Sequence, residues 1–318
     1  MFVPTSRKLL DAAAFHDGRT ELGNGEEPAI VSIDAAVRWY RETAGREKTQ
    51  RFIVHGSFCG STLLARCLGS LENGVSYREP QALIELADGL RAGGPSIASG
   101  IQPSELSEFV FGQFQKTWHE PQVAIVKPSN WVNGFVSSFL QSSSPARIIT
   151  MQQKIESYLL ANIRGGKPRL RYSLNLLNRV VQESDYHREA VACVERAGKG
   201  DMASVLRLLC VCFDYQESAV AAIARSTEKH QVLNVTKSEL LASPADCVAQ
   251  AASFFAIPHD VAQVRRVCAA SLTTNAKLDS VEPWRAEDEE AMNERIKADF
   301  RGDLNETLRW YEESIMKN

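Results

Sequence analysis

The 318-residue chain contains no C-x-x-C pair and no long apolar run, and it carries no excess of positive charge. Its seven cysteines are scattered along the chain, which predicts neither a zinc site nor a disulfide framework but free thiols in a reducing compartment. The longest apolar stretch, 205–213, is far too short to span a membrane. Residues 1–14 include charged side chains and lack the apolar stretch of a signal peptide. We therefore expect a cytoplasmic protein that does not enter a membrane.

The overall charge and size exclude further classes of protein. A net charge of −3 argues against a globally basic binder of nucleic acid. An apolar content of 44% and a charged content of 24% are ordinary for a globular protein, and the length allows one large domain or two moderate ones. We expect an N-terminal extension over 1–48 that packs on the core, and an α/β domain over 49–318 with a helical insertion at about 165–225.

Short apolar segments alternate with longer amphipathic ones along the chain. The pattern predicts strands at 52–55, 74–77, 123–127, 147–150 and 231–235. It predicts helices at 32–43, 61–71, 81–90, 103–117 (with Ser104 as its cap), 155–163, 174–197, 201–225 and 245–255, and a polar stretch at 164–172. Continuously apolar strands that alternate with helices indicate an α/β fold, in which a parallel sheet is flanked by helices on both faces.

The segment 51–66 runs from the first predicted strand through a Gly/Ser loop directly into a predicted helix. Such a loop presents unpaired backbone N–H groups at a helix N-terminus, where an anion is favoured. Aligned with a Walker A loop, it has Ser61 in place of the lysine and His55 in place of the first glycine. The loop therefore predicts a phosphate or sulfate site, while the missing lysine argues against an ordinary ATPase or kinase. An ordinary strand-to-helix turn is the alternative.

Three polar residues fall at, or just after, the ends of predicted strands: His55, Glu79 and Lys127. Ligands of parallel sheets bind outside the carboxyl ends of the strands. We therefore expect these three side chains to converge on one rim of the sheet.

Three segments of the chain resemble the P-loop sulfotransferase superfamily, in particular its bacterial branch. They are the loop region 52–65, the strand end Ile125-Val-Lys-Pro-Ser129, and the stretch 232–258, which includes Leu240-Leu-Ala-Ser-Pro244 and Phe254-Phe-Ala-Ile-Pro258. The resemblance covers roughly residues 50–260. It implies a P-loop sulfotransferase/NTPase-like fold and transfer of a sulfuryl group from PAPS (3′-phosphoadenylyl sulfate) to a hydroxyl or amine. PAP would be the product, and no metal would be required.

The resemblance also implies which residues hold and activate the donor. The loop would wrap the phosphosulfate with Gly56, Ser57, Cys59, Gly60, Ser61, Thr62 and Leu63, although Phe58 stands where the family usually has Lys or Arg. Lys127 would assist departure of the phosphate, unless it is a surface lysine at a strand end. Ser129 replaces the catalytic histidine of the cytosolic branch and is a poor base.

The base must then come from elsewhere in the chain. Glu79 is the first candidate, because related branches use a glutamate in a similar place. Its alternative is a capping interaction with the helix that follows Pro80. His55 is the second candidate base, with a buried histidine bonded to the loop as its alternative.

The chain matches only part of the family's binding site for the donor's 3′-phosphate. Ser157 fits the family's serine, but Ile149 stands where the arginine is expected. The basic cluster of Arg164, Lys167, Arg169 and Arg171 can replace that arginine, or it is simply a solvated loop. Lys277 and Arg285 near the C-terminus are further candidates to cover the donor.

Together these residues predict a PAPS-dependent sulfotransferase whose acceptor is a small molecule or peptide. No nucleic-acid or membrane partner is expected, and a homodimer is left open. Two rival functions remain: a P-loop kinase or NTPase that would need Mg²⁺, and a non-catalytic binding protein of sulfotransferase-like fold. Binding of PAP or of Mg-ATP distinguishes them.

Overall fold

The computed structural model describes residues 1–43, 49–92, 101–142, 145–180, 187–225, 231–272 and 286–316. These ranges contain the strands β1 (Gln50–His55), β2 (Gly74–Arg78), β3 (Val123–Lys127), β4 (Ala146–Gln152) and β5 (Gln231–Thr236). The five strands form one sheet in the order β2-β3-β1-β4-β5. The β2–β3, β3–β1 and β1–β4 pairs are parallel. The predicted α/β class with a parallel sheet is confirmed.

Helices lie between the strands of the described residues, and those at 7–12, 133–142, 261–272 and 286–299 were not predicted. The helices are α1 (Arg7–Ala12), α2 (Ile33–Thr43), α3 (Ser61–Gly69), α4 (Gln81–Arg91), α5 (Pro103–Gln113), α6 (Asn133–Ser142), α7 (Ile155–Arg164), α8 (Gly166–Val180), α9 (His187–Gly198), α10 (Met202–Arg225), α11 (Lys237–Ala242), α12 (Pro244–Phe254), α13 (Val261–Leu272), α14 (Ala286–Asp299) and α15 (Arg301–Ser314).

Two local predictions were wrong. The polar stretch at 164–172 is mostly helical: α7 ends at Arg164, Gly165 is its C-cap, and α8 begins at Gly166. Pro168 lies in the first turn of α8, where a proline is tolerated, and the Arg and Leu residues that follow favour helix. Ser104 does not cap α5. Pro103 occupies the first helical position instead, and Glu105 accepts a hydrogen bond from the backbone N–H of Gln102 at 2.9 Å.

The centre of the sheet explains why its strands read as continuous apolar runs. β1 lies between β3 and β4, in register with β4 from Gln50 opposite Ala146 to His55 opposite Met151. Phe52, Ile53 and Val54 are buried, so side chains on both faces of the strand leave water. The strand therefore carries His55 at its end in a fixed position.

The chain divides into two compact units. The first comprises residues 1–55, 60–151 and 222–283, and it contains nearly the whole sheet. The second comprises residues 56–59, 152–221 and 284–318, and it is built mainly from α7–α10, α14 and α15. The predicted boundary at residue 48 and the predicted insertion at 165–225 remain predictions.

The beginning of the chain is built into the first unit through Arg78, the last residue of β2. Its buried guanidinium donates to the backbone carbonyls of Leu10, Asp11 and Ala13. The backbone N–H of Arg78 also donates to Nδ1 of His16 at 3.1 Å. Burial and the nearby Arg78 charge lower the pKa of His16 to about 4, so this histidine is neutral. The N-terminal segment thereby supplies the acceptors for a buried cation.

We expect Gly74→Ala to destabilise the protein by about 1–3 kcal/mol. A Cβ at Gly74 would overlap the backbone carbonyl oxygen of Leu68, where α3 packs on the start of β2. Gly89→Ala is the matched control, because nothing lies within 4 Å of a Cβ there and the residue is inside α4. This control should gain up to about 1 kcal/mol. Urea denaturation of both variants tests the pair, and equal stabilities would contradict the overlap.

Candidate functional site

A cluster of charged residues lies at the carboxyl ends of the strands in the first unit. Nζ of Lys127, at the end of β3, lies 2.5 Å from Oε1 of Glu79, which follows β2. Oε2 of the same carboxylate accepts a hydrogen bond from Arg19 at 3.0 Å. Lys127 is fully buried and Glu79 is nearly so. We call Arg19, His55, Glu79 and Lys127 the strand-end cluster.

The backbone at Glu79 turns sharply to bring its side chain to Lys127. Its φ of 53° lies in the left-handed region, which is unfavourable for a glutamate and is tolerated where surrounding structure enforces it. The backbone N–H of Glu79 donates to the carbonyl of Lys127 at 2.6 Å, which holds the turn. Pro80 occupies the N-cap position of α4, and both carboxylate oxygens of Glu79 contact cations. The expected alternative of a capping role for Glu79 is therefore not seen.

The charges around Glu79 decide its ionisation state. Burial alone would raise its pKa, but Lys127, His55 and Arg19 outweigh burial and hold the pKa at about 2. Glu79 is therefore ionised at neutral pH, the state in which a carboxylate can accept a proton. While it is bonded to two cations, it is a weak base.

His55 lies at the end of β1, within the same cluster. Its Nε2 is 3.0 Å from the carbonyl oxygen of Pro128, and the side-chain amide of Asn133 donates to the backbone carbonyl of His55 at 2.9 Å. The ring is buried. These contacts join the ends of β1 and β3, so the expected convergence of His55, Glu79 and Lys127 is observed.

The start of α3 has the geometry of an anion site. Gly60 is its N-cap and has a φ of 87°, a conformation that glycine adopts without strain. The first N–H groups of a helix, here those of Ser61, Thr62 and Leu63, have no acceptor within the helix. The side chains of Ser61 and Thr62 are buried beside them. Backbone donors and the helix dipole together favour negative charge at this position.

The earlier part of the loop, Gly56–Cys59, belongs to the second unit, where it is tied to α10. Oε1 of Gln216 accepts hydrogen bonds from both the backbone N–H and the hydroxyl of Ser57, each at 2.8 Å. The amide of Gln153 donates to the backbone carbonyl of Ser57 at 2.5 Å. The thiol of Cys59 is buried and points to the carbonyl of Gly56 at 3.1 Å. Both hydrogen-bond donors of Ser57 are therefore already bonded to the side-chain amide oxygen of Gln216.

Phe58 takes part in an aromatic cluster. Its φ of 60° is left-handed, and its ring lies 5.9 Å from Tyr158 and 6.5 Å from Tyr172, between ring centres. The guanidinium of Arg169 lies 5.1 Å from the centre of the Phe58 ring, within the range of a cation–π contact. A positive charge from α8 thus stands close to a loop position that has no basic residue of its own.

The other residues expected to hold the nucleotide are spread over the second unit. Ser157 is exposed in the first turn of α7. Arg164 bonds to Asn293 and to Glu289, the latter at 2.9 Å. Lys167, Arg169 and Arg171 lie on the first turns of α8. Lys277 and Arg285 lie outside the described residues.

Sequence reasoning missed Arg19, which contacts Glu79 in the first unit, and Gln216 and Glu217, which contact the loop segment of the second unit. Arg19 has no motif around it and reaches Glu79 from the N-terminal segment. Gln216 and Glu217 are adjacent polar residues in a largely apolar helix, and Gln216 is buried. Such a polar pair on a buried helix is the feature that would have pointed to them.

The described ranges contain no group of three His, Cys, Asp or Glu side chains arranged to hold a metal ion. Within the same ranges, no helix has the length and apolar character needed to cross a membrane.

The sequence matches no protein-family model and no curated protein. Among solved structures, the chain is similar to a sulfotransferase domain from the curacin biosynthetic pathway. The identity is 12% over 81% of this chain and 99% of that domain, and the TM-score is 0.43. It is also similar to a sulfotransferase from Alicyclobacillus acidocaldarius, with 13% identity over 82% of this chain and 94% of that one, and a TM-score of 0.37. Both TM-scores are below 0.5, so neither similarity assigns a function to this chain.

Proposed function

We propose that this protein transfers a sulfuryl group from PAPS to the hydroxyl or amine of a small-molecule or peptide acceptor. The observation that carries the proposal is the fully buried Lys127, paired with Glu79 at the sheet edge where α3 begins. Sulfuryl transfer needs a cation beside the leaving phosphate and a carboxylate that accepts a proton. The strand-end cluster contains both.

The roles of the cluster residues follow from this chemistry. The donor supplies a sulfur atom that bonds to the acceptor as its bond to the phosphate oxygen breaks. Lys127 holds positive charge beside the departing phosphate, and Glu79 takes the acceptor's proton. When Lys127 turns to the phosphate, Glu79 loses its nearest cation, so its pKa rises and the carboxylate becomes a better base. His55 is the second candidate base, and its contact with Pro128 keeps the two strand ends together.

The loop residues suit the donor to different degrees. Ser61, Thr62 and the N–H groups of the first turn of α3 provide donors for an anion. Ser57 would contribute only if Gln216 released it, and Cys59 only through its backbone. We propose that Gly56, Gly60 and Leu63 also contribute backbone contacts to the donor. We propose further that Arg164 and Ser157 bind the nucleotide part of PAPS.

Ligand-dependent melting tests the proposal. We expect PAP, at about 100 times its Kd, to raise the Tm by roughly 5 °C, because a ligand that binds only the folded state stabilises it. Mg-ATP at the same concentration should leave the Tm unchanged. Stabilisation by Mg-ATP instead of PAP would indicate a kinase or NTPase, and no shift with either would indicate a non-catalytic binding protein.

A further inference from the structure

Two adjacent residues of α10 contact two adjacent residues of the loop. Gln216 accepts both donors of Ser57, and Oε1 of Glu217 packs on Gly56. A Cβ added to Gly56 would lie only 2.8 Å from that oxygen, so the contact needs a glycine in the loop. A carboxyl group is therefore packed directly on the backbone of a loop to which we assign an anion.

The Glu217 carboxyl is poorly solvated. Its Oε1 is buried and has no hydrogen-bond partner among the described residues. Burial raises the pKa of Glu217 to about 8. A hydrogen bond with Gln152, at the end of β4, lowers the pKa of Glu217, and the negative charge of Asp214 on α10 raises it. The loop segment Gly56–Cys59 contributes no carboxyl and no cationic side chain; its one titratable group is the buried thiol of Cys59, which points to the carbonyl of Gly56. At neutral pH the carboxyl therefore carries its proton.

We propose that Glu217 is a positioning residue of the loop and that it supports anion binding only in its protonated form. The neutral carboxyl packs on Gly56 without adding negative charge to the segment that receives the donor. An ionised carboxylate in this poorly solvated place would repel the bound anion. The inference rests on the proposed function, because it requires an anion in this loop. Anion binding and protonation of Glu217 then favour each other.

The linkage predicts a specific pH dependence of PAP binding. When only the neutral form binds, the apparent Kd is the intrinsic Kd divided by the neutral fraction. The wild-type Kd for PAP should therefore weaken by about tenfold between pH 7 and pH 9. Glu217→Gln keeps the shape of the neutral side chain, so its Kd should match the wild type at pH 7 and change less than twofold by pH 9. Titration calorimetry measures both.

Two further variants control for other groups that titrate in this range. Glu312→Gln makes the same chemical change at an exposed position of α15, in the same unit, and should follow the wild-type curve. Asp214→Asn removes a charge that raises the pKa of Glu217, so binding should begin to weaken at a lower pH. The phosphates of PAP titrate identically in all four proteins. Circular dichroism melts confirm that each variant is folded.

The outcomes separate this inference from the proposed function. If Glu217→Gln weakens toward pH 9 as the wild type does, or if the wild-type Kd does not change with pH, Glu217 has no such role although PAP binds. If PAP binds none of the four proteins at pH 7, the proposed function fails and the inference fails with it. A flat curve for Glu217→Gln alone supports the inference.

Discussion

Lys127→Met should lower the free energy of unfolding at pH 7 by about 3–5 kcal/mol. The variant leaves the buried Glu79 carboxylate without the cation that lies 2.5 Å from its Oε1. Arg19, which also bonds to this carboxylate, has a side chain that is 50% exposed, so solvent screens its charge. Urea denaturation at pH 7 measures the loss.

The chain offers a matched control for burial. Lys199 and Glu195 form an ion pair of nearly the same length, 2.6 Å, but their side chains are 72% and 81% exposed. Lys199→Met should cost no more than about 0.5 kcal/mol, because an exposed ion pair at the end of a helix contributes little. Similar losses for the two variants would contradict our account of Lys127.

The loss caused by Lys127→Met should depend on pH. The folded-state pKa of Glu79, about 2, is below its ordinary value of 4.5, so the paired carboxylate stabilises the wild type above about pH 4.5. That contribution disappears as the pH falls toward 2. The difference between wild type and variant should therefore be largest near neutral pH and smaller at pH 3. Lys127→Met combined with Glu79→Gln should recover part of the stability at pH 7.

Glu79→Gln should lower the rate of the proposed sulfuryl transfer by about 10²–10⁴-fold, because an amide cannot take the acceptor's proton. An acceptor is first found by screening hydroxyl and amine compounds with radiolabelled PAPS, and single-turnover rates are then compared. Affinity for PAP should change much less than the rate, since the base acts on the acceptor. Glu85→Gln on the exposed face of α4 is the control and should keep full activity.

Two results would contradict the role given to Glu79. Unchanged transfer by Glu79→Gln would remove it as the base and leave His55 as the candidate. A rate loss matched by an equal loss of folded protein would make the glutamate structural, as the partner of Lys127. Measuring the folded fraction under assay conditions separates this second case from catalysis.

The sequence predicted the sheet because its determinants are local. Apolar runs such as 52–55 and 123–127 end at residues that must leave the sheet, so the rim and its polar side chains could be anticipated. The course of the chain at 164–172 could not, since polar composition alone does not distinguish a loop from a solvated helix. Two glycines and a proline also suggest a loop there, yet α8 begins at Gly166 with Pro168 in its first turn.

The partners of the site residues were less accessible to sequence reasoning. The pairing of Glu79 with Lys127 joins residues 48 apart, and Arg19 reaches the same carboxylate from 60 residues away. No motif spacing records such contacts. The packing of Phe58 with Tyr158 and Arg169 likewise joins residues that are far apart in the sequence.

The backbone carbonyls that accept hydrogen bonds from Arg78 belong to the start of the chain, so this segment helps to position the strand-end cluster. Deletion or proteolytic removal of the residues before Phe15 would leave a buried guanidinium without the carbonyls of Leu10, Asp11 and Ala13. Arg78 is bonded in sequence to Glu79, so this defect would be felt one peptide unit from the proposed base. The N-terminal segment thus supports the backbone at Glu79, and a shortened protein would lose the support that positions the proposed base.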